Sequence, residues 1–168
     1  DSALAAIHGA EYPRFSDAEF SRRRREIERV MQEAGVDHLI VCGEQRAGTG
    51  VAWLTGWPVT TEAYVILAPG EPMVMYMEWY NHWPLARRMA SGTDVRWGEH
   101  KGIDKLIEEL KARGACRVGM MGPISYGKCR KLESSFGSLV DLNRQYVGLR
   151  LVKSAEELDW MRIGAALT

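Results

Sequence analysis

Apolar positions along the chain come in blocks, and the period changes from block to block. Behind Ser16-Asp-Ala-Glu19, a capping box, Phe20, Ile27, Val30, Met31 and Ala34 recur at helical spacing until Gly35 can stop the helix. Val36-Asp-His-Leu-Ile-Val-Cys42 is then a short, nearly continuous apolar run of the buried-strand type. Val51-Ala-Trp-Leu-Thr55 predicts a second strand ending at Gly56. Ala63-Tyr-Val-Ile-Leu-Ala68 and Met73-Val-Met-Tyr-Met77 predict a hairpin closed by Pro69-Gly-Glu-Pro72. Further on, the pattern predicts helices over Asn81–Ala90, Ile103–Arg113 and Lys128–Phe136. Strands are predicted at Thr93–Trp97 and Arg117–Met121, and extended segments at Leu139–Leu142 and Tyr146–Val152.

Strands alternating with helices of about ten residues, plus one hairpin, describe an α/β domain with a mixed β-sheet flanked by helices. A second capping box, Ser154 with Glu157, opens a last helix whose Leu158, Met161, Ala165 and Leu167 form an apolar stripe. That stripe needs a surface to cover it, so the chain is expected to be one module of a longer protein. It divides into an N-terminal extension (1–15), an α/β domain (16–150), and a linker with the first helix of a following domain (151–168).

At 168 residues and 46% hydrophobic composition, the chain can build one ordinary core. Lysine plus arginine equals aspartate plus glutamate at 22 each, so no global field attracts nucleic acid or an anionic membrane, and neither is expected as a partner. No run reaches the roughly 18 apolar residues of a spanning helix, and the N-terminus lacks a signal-peptide layout. Cys42, Cys116 and Cys129 are odd in number and form no CxxC, which fits reduced thiols in the cytoplasm.

Local motifs for chemistry are weak. Gly43, Gly48 and Gly50 follow a buried strand, but without Gly-Lys-Ser/Thr or GxGxxG, and with an extended segment predicted next, they read as a surface loop. Ser125 in Gly122-Pro-Ile-Ser-Tyr-Gly127 lacks the spacing of a nucleophile elbow and reads as a helix N-cap. Glu78 and His82 would share a helix face, Glu99 and His100 are adjacent, and His8 and His38 stand alone; none makes a metal motif. Arg22 to Arg25, offset by Glu19, Glu26 and Glu28, reads as a solvated helix face. Trp53, Trp57, Tyr64, Trp79, Tyr80, Trp83 and Trp97 fall within 45 residues; some belong to the core, and an excess that a small domain cannot bury would mark an interface or a substrate rim. On these residues alone, a free-standing ligand or interaction module stays open.

Three features together carry a resemblance: the capped helix leading to Val36-Asp-His-Leu-Ile-Val41, the Trp53-Leu-Thr-Gly-Trp57 turn, and the closing Arg150-Leu-Val-Lys-Ser-Ala-Glu-Glu-Leu158. From about Ser16 to Thr168 the chain resembles the N-terminal domain of the creatinase/prolidase/aminopeptidase P family, the pita-bread metallopeptidases and their relatives. The resemblance implies a ribonuclease-H-like α/β domain, itself non-catalytic, that shapes a substrate pocket and contributes to a homodimer. It also implies a following catalytic domain, in which two Asp, one His and two Glu hold two divalent metals, often manganese or cobalt, for hydrolysis of an Xaa-Pro bond. No catalytic or metal-binding residue is expected in this chain. In the family, the loop after the Thr-Gly-Trp turn presents substrate contacts; here it reads Pro58-Val-Thr-Thr-Glu62, without the aromatic and arginine pair of creatinase. Trp57, Thr60, Thr61 and Glu62 are therefore expected at a rim facing the catalytic domain or a partner subunit. The most fitting parent is an Xaa-Pro dipeptidase or aminopeptidase; relatives that cleave non-peptide C–N bonds, or act as lyases, share the same N-domain.

Overall fold

A computed structural model describes residues 13–167, together with Ser2, Ala5 and Ala6; most of the expected 1–15 extension, with His8, lies outside the described residues. The elements are α1 (Asp17–Ala34), β1 (His38–Glu44), α2 (Gly50–Thr55), β2 (Glu62–Leu67) and β3 (Met73–Met77). A 3-10 turn (Tyr80–His82) then leads to α3 (Trp83–Met89), β4 (Thr93–Trp97), α4 (Gly102–Ala112), β5 (Val118–Met121), α5 (Tyr126–Phe136), β6 (Val140–Asp141), α6 (Asn143–Leu149) and α7 (Ala155–Ala166). The sheet runs β4-β3-β2-β1-β5-β6. β2 is antiparallel to both neighbours and all other pairings are parallel, so the sheet is mixed, as the hairpin signal requires.

Helices cover both faces because successive side chains of a strand point to opposite sides. From β1, Leu39 and Val41 join Ile27, Met31, Trp53 and Leu54 in one core. Ile40 and Cys42 join Leu106, Leu110 and Leu132 in the other. A strand buried on both faces must be apolar throughout, and that is why 36–42 reads as a continuous run. At the β4 edge, the Trp83 indole N–H donates to the Val95 carbonyl at 2.9 Å, closing part of a backbone edge that would otherwise invite pairing with another chain.

Two expected elements change type. Val51–Thr55 belongs to helix α2, closed by Gly56 at φ 84, and residues 146–149 belong to helix α6. A short apolar run has no periodicity to separate strand from helix, and here packing of α2 against α1 and β1 decides. A helix therefore does follow the Gly43–Gly50 loop, but it is only six residues long.

The capping boxes also diverge. Ser154 and Glu157 make both reciprocal bonds, at 3.1 and 2.9 Å. At Ser16 only half forms: its Oγ accepts from Glu19 N at 3.1 Å, while its own N–H and hydroxyl donate to Glu156 of α7, both at 2.6 Å. The first turn of α7 is thereby tied to the start of α1. Beyond that turn Leu158, Met161, Ala165 and Leu167 are exposed.

Carboxylates that hold loops together set the acid limit of the fold. Burial works against charge on Asp37, but the His38 ring (2.6 Å) and the backbone N–H groups of Arg117 and Cys116 outweigh it and hold the carboxyl below its usual range. Burial likewise opposes ionisation of Glu19, and Arg22 and Arg23 prevail. Groups with depressed folded-state values stabilise fully above the unfolded-state pKa, near 4, and lose that contribution as pH falls through the folded value. Unfolding midpoints should therefore fall steeply below about pH 4, and Asp37→Asn should flatten that slope. An unchanged slope in D37N would remove Asp37 from this account.

Candidate functional site

The topology brings one edge of the sheet to a focus. β1, β3 and β4 end there, antiparallel β2 begins there, and a crevice outside the ends of parallel strands is where α/β sheets place ligands. A cavity of about 540 Å³ opens at this edge, lined by Glu44, Gln45, Thr61, Glu62, Tyr64, Tyr76, Met77, Glu78, Glu99, His100, Gly102, Ile103 and Lys128.

Its wall is built by register. Glu44 and Glu62 sit directly opposite each other on β1 and β2, a like-charge pair that costs stability unless compensated. Lys128, from the start of α5, supplies the compensation through a hydrogen bond from Nζ to Glu62. The Tyr64 hydroxyl donates to the other oxygen of Glu62 at 3.1 Å, and the Lys128 ammonium lies 5.7 Å from the Tyr64 ring centre. Burial, with help from Glu62, raises the Tyr64 pKa and keeps it a phenol. Desolvation opposes the Lys128 charge, but Glu62 and Tyr64 overcome it and raise its pKa. Both groups therefore stay protonated near neutral pH, and they serve for binding rather than for proton transfer.

The far wall follows β3 and β4. Glu78 pairs with His100 Nδ1 at 3.0 Å, and Glu99, held at φ 54, pairs with Lys105 at 2.7 Å. Four carboxylates against Lys128 make the cavity net acidic.

Of the residues expected at a rim, Thr61 and Glu62 line this cavity. Thr60 bonds His82 Nδ1 at 2.7 Å, and Trp57 is in the core, 2% exposed. Glu78 and His82 are not brought together: one faces His100 and the other Thr60. Ser125 stands at the N-cap of α5 but makes no side-chain cap bond. Cys42 is buried and its thiol is pushed up to about 12, far from a reactive thiolate. Among the described residues, no group of three or more His, Cys, Asp or Glu could hold a metal ion.

The expected solvated face at Arg22–Arg25 fails at Arg23, which is 1% exposed. Its guanidinium donates to Glu19 (2.7 Å), Glu157 (3.1 Å) and the Trp53 carbonyl (2.9 Å), and it lies 3.9 Å from the Phe15 ring centre. Glu157 and Trp53 come from distant segments, so the partners of Arg23 are not legible locally, although helical spacing from Phe20 and Ile27 places it, and none of the other three arginines, on the buried face of α1. Lys128 escapes sequence reasoning for the same reason. Exposed aromatics do gather, as composition suggests: Trp79, Tyr80 and Trp97 remain on the surface, with Tyr80 and Trp97 ring centres 5.0 Å apart.

Residues 23–152 match the family model described as Creatinase/Prolidase N-terminal domain. The chain belongs to this family. No curated protein sequence matches it. Among solved structures, the creatinase/prolidase domain is similar to an Xaa-Pro dipeptidase from Bacillus anthracis, at 15% identity and TM-score 0.69, covering 83% of this chain and 38% of that one. Dipeptidase PepE from Mycobacterium ulcerans matches at 19% identity and TM-score 0.68, over 87% of this chain and 40% of its own. An Xaa-Pro aminopeptidase from Streptococcus pyogenes matches at 20% identity and TM-score 0.61, over 76% of this chain and 93% of its own. The domain thus spans about two fifths of the two dipeptidase chains, and the likeness establishes the fold. Among the described residues, no helix is long and apolar enough to cross a membrane.

Proposed function

We propose that this creatinase/prolidase domain is the non-catalytic N-terminal domain of a cytoplasmic Xaa-Pro peptidase, acting on proline-containing peptides as part of a homodimer. The reading rests on the family match over residues 23–152, supported by the fold shared with Xaa-Pro dipeptidases and aminopeptidases. Helix α7, held at its first turn by Glu156 and Glu157, would carry the chain into a pita-bread catalytic domain. Hydrolysis there would depend on two divalent metals, manganese or cobalt, that activate water. The described residues of this chain do not form a site for them, so no catalytic step is assigned to its side chains.

The contribution proposed for this domain is to the substrate rim, through Thr61 and Glu62 at the acidic cavity. Trp57, being buried, would support that loop from within, and Thr60 would hold it through His82. In the whole protein, Thr61→Ala and Glu62→Ala should raise KM for an Xaa-Pro peptide several-fold while kcat stays within about twofold, the pattern of lost uniform binding. Steady-state kinetics with both variants checks this; KM unchanged in both would reject the rim role.

A further inference from the structure

The acidic cavity at the sheet edge holds one group that its own wall leaves unpaired. Four carboxylates line it, and three are engaged. Glu62 gives one oxygen to Lys128 and the other to the Tyr64 hydroxyl, Glu78 pairs with His100 at 3.0 Å, and Glu99 pairs with Lys105 at 2.7 Å. The Glu44 side chain makes no hydrogen bond or ion pair among the described residues. Register fixes where that carboxylate stands. Ile40 and Cys42 share the core on the α4 side with Tyr64 and Tyr76, and alternation along β1 puts Glu44 on the same side, opposite Glu62. The position is unfavourable for folding, because like charges directly across an antiparallel pair repel and the Lys128 ammonium bonds Glu62 alone of the two.

The lining is not acidic throughout: Tyr64, Tyr76, Met77 and Ile103, all buried, give it an apolar part. An apolar surface beside an unpaired carboxylate matches a side chain with a hydrocarbon stem and a cationic head. We propose that Glu44 is a specificity-determining residue, and that the cavity takes the lysine or arginine side chain of a basic Xaa-Pro substrate, its stem along the apolar lining and its head on Glu44. The inference rests on the Xaa-Pro peptidase reading above and names the substrate class that the rim favours. A neutral side chain would leave the Glu44–Glu62 repulsion in place, whereas a cation relieves it, and an acidic one would add to it. A carboxylate kept at a cost to the fold is the expected mark of a binding group.

Steady-state kinetics of the whole protein with lysyl-proline and norleucyl-proline tests it, since the two side chains share a stem and differ by the ammonium. In kcat/KM the protein should favour lysyl-proline at least about tenfold, the order of one charge-assisted hydrogen bond. In Glu44→Gln, which keeps the shape and removes the charge, that preference should shrink at least about fivefold. The thermal midpoint of the same variant should stay level or rise, because the repulsion with Glu62 is gone. Turnover of both dipeptides without preference, or a preference that Glu44→Gln leaves intact, overturns the inference and leaves the peptidase reading standing. A preference lost together with a lowered midpoint gives Glu44 a structural role and overturns it too. Turnover of neither dipeptide overturns the peptidase reading and this inference with it.

Discussion

Arg23→Ala should destabilise the domain by roughly 3–5 kcal/mol, the cost of breaking a buried ion pair by removing one partner. The guanidinium is 1% exposed, and its Glu19 and Glu157 partners are 5% and 12% exposed. Without it, Glu19, Glu157 and the Trp53 carbonyl each lose one donor in a site that admits little water, although Glu157 keeps the Trp53 indole N–H and Ser154 N–H. Arg22 offers partial relief: it bonds Glu19 at 2.7 Å but comes only within 3.8 Å of Glu157. Arg23→Lys keeps the charge without the planar fork and should fall between wild type and alanine. The effect should appear as a lower urea midpoint with an unchanged m-value. A loss below about 1 kcal/mol would place the pair in the energetic range of exposed salt bridges and contradict its burial. Because Glu157 also caps α7, the same substitution should raise amide exchange in that helix more than in β1 or β2.

Gly122→Ala should cost roughly 3 kcal/mol or more, beyond the ordinary penalty for a left-handed residue. Gly122 follows β5 at φ 92, and a Cβ placed there would lie 2.0 Å from the Cys42 carbonyl oxygen and 2.9 Å from its carbon. The obstacle is backbone, not a flexible side chain. Relief would require β1 to separate from β5, which pair in parallel from His38–Val118 to Val41–Met121. Gly70 is the control: its φ is 78, and a methyl group added to it would meet nothing within 4 Å. Gly70→Ala should therefore lose only about 1–2 kcal/mol of backbone strain. Thermal denaturation of both variants separates the two effects. Equal losses would show that conformation alone, without the clash, sets the cost at Gly122.

Legibility in the sequence followed the range of the interaction that decides each feature. Capped helix α1, buried strand β1 and the β2–β3 hairpin are governed by neighbours within a few residues, and all formed where the pattern placed them. Val51–Thr55 and 146–149 carry too few residues to show a period, so packing assigned them to helices. The Trp-Leu-Thr-Gly-Trp turn and the Arg-x-x-Lys-Ser-x-x-Glu-Leu passage pointed to the family through their residues, while their side-chain roles stayed hidden.

By itself, the sequence determined an α/β domain with a mixed sheet, its family, and a last helix whose apolar stripe stays exposed. These follow from local periodicity, caps and motif spelling, which act over a few residues. Only the tertiary structure decided that Glu44, Glu62 and Lys128 would meet at one cavity, and that Arg23 would be buried against Glu157 and the Trp53 carbonyl. Each of these depends on strand order and helix packing, which join residues as far apart as 23 and 157. A charge carries no local mark of its partner, because the Coulomb and desolvation energies that bury or expose it are set by the groups around it in space.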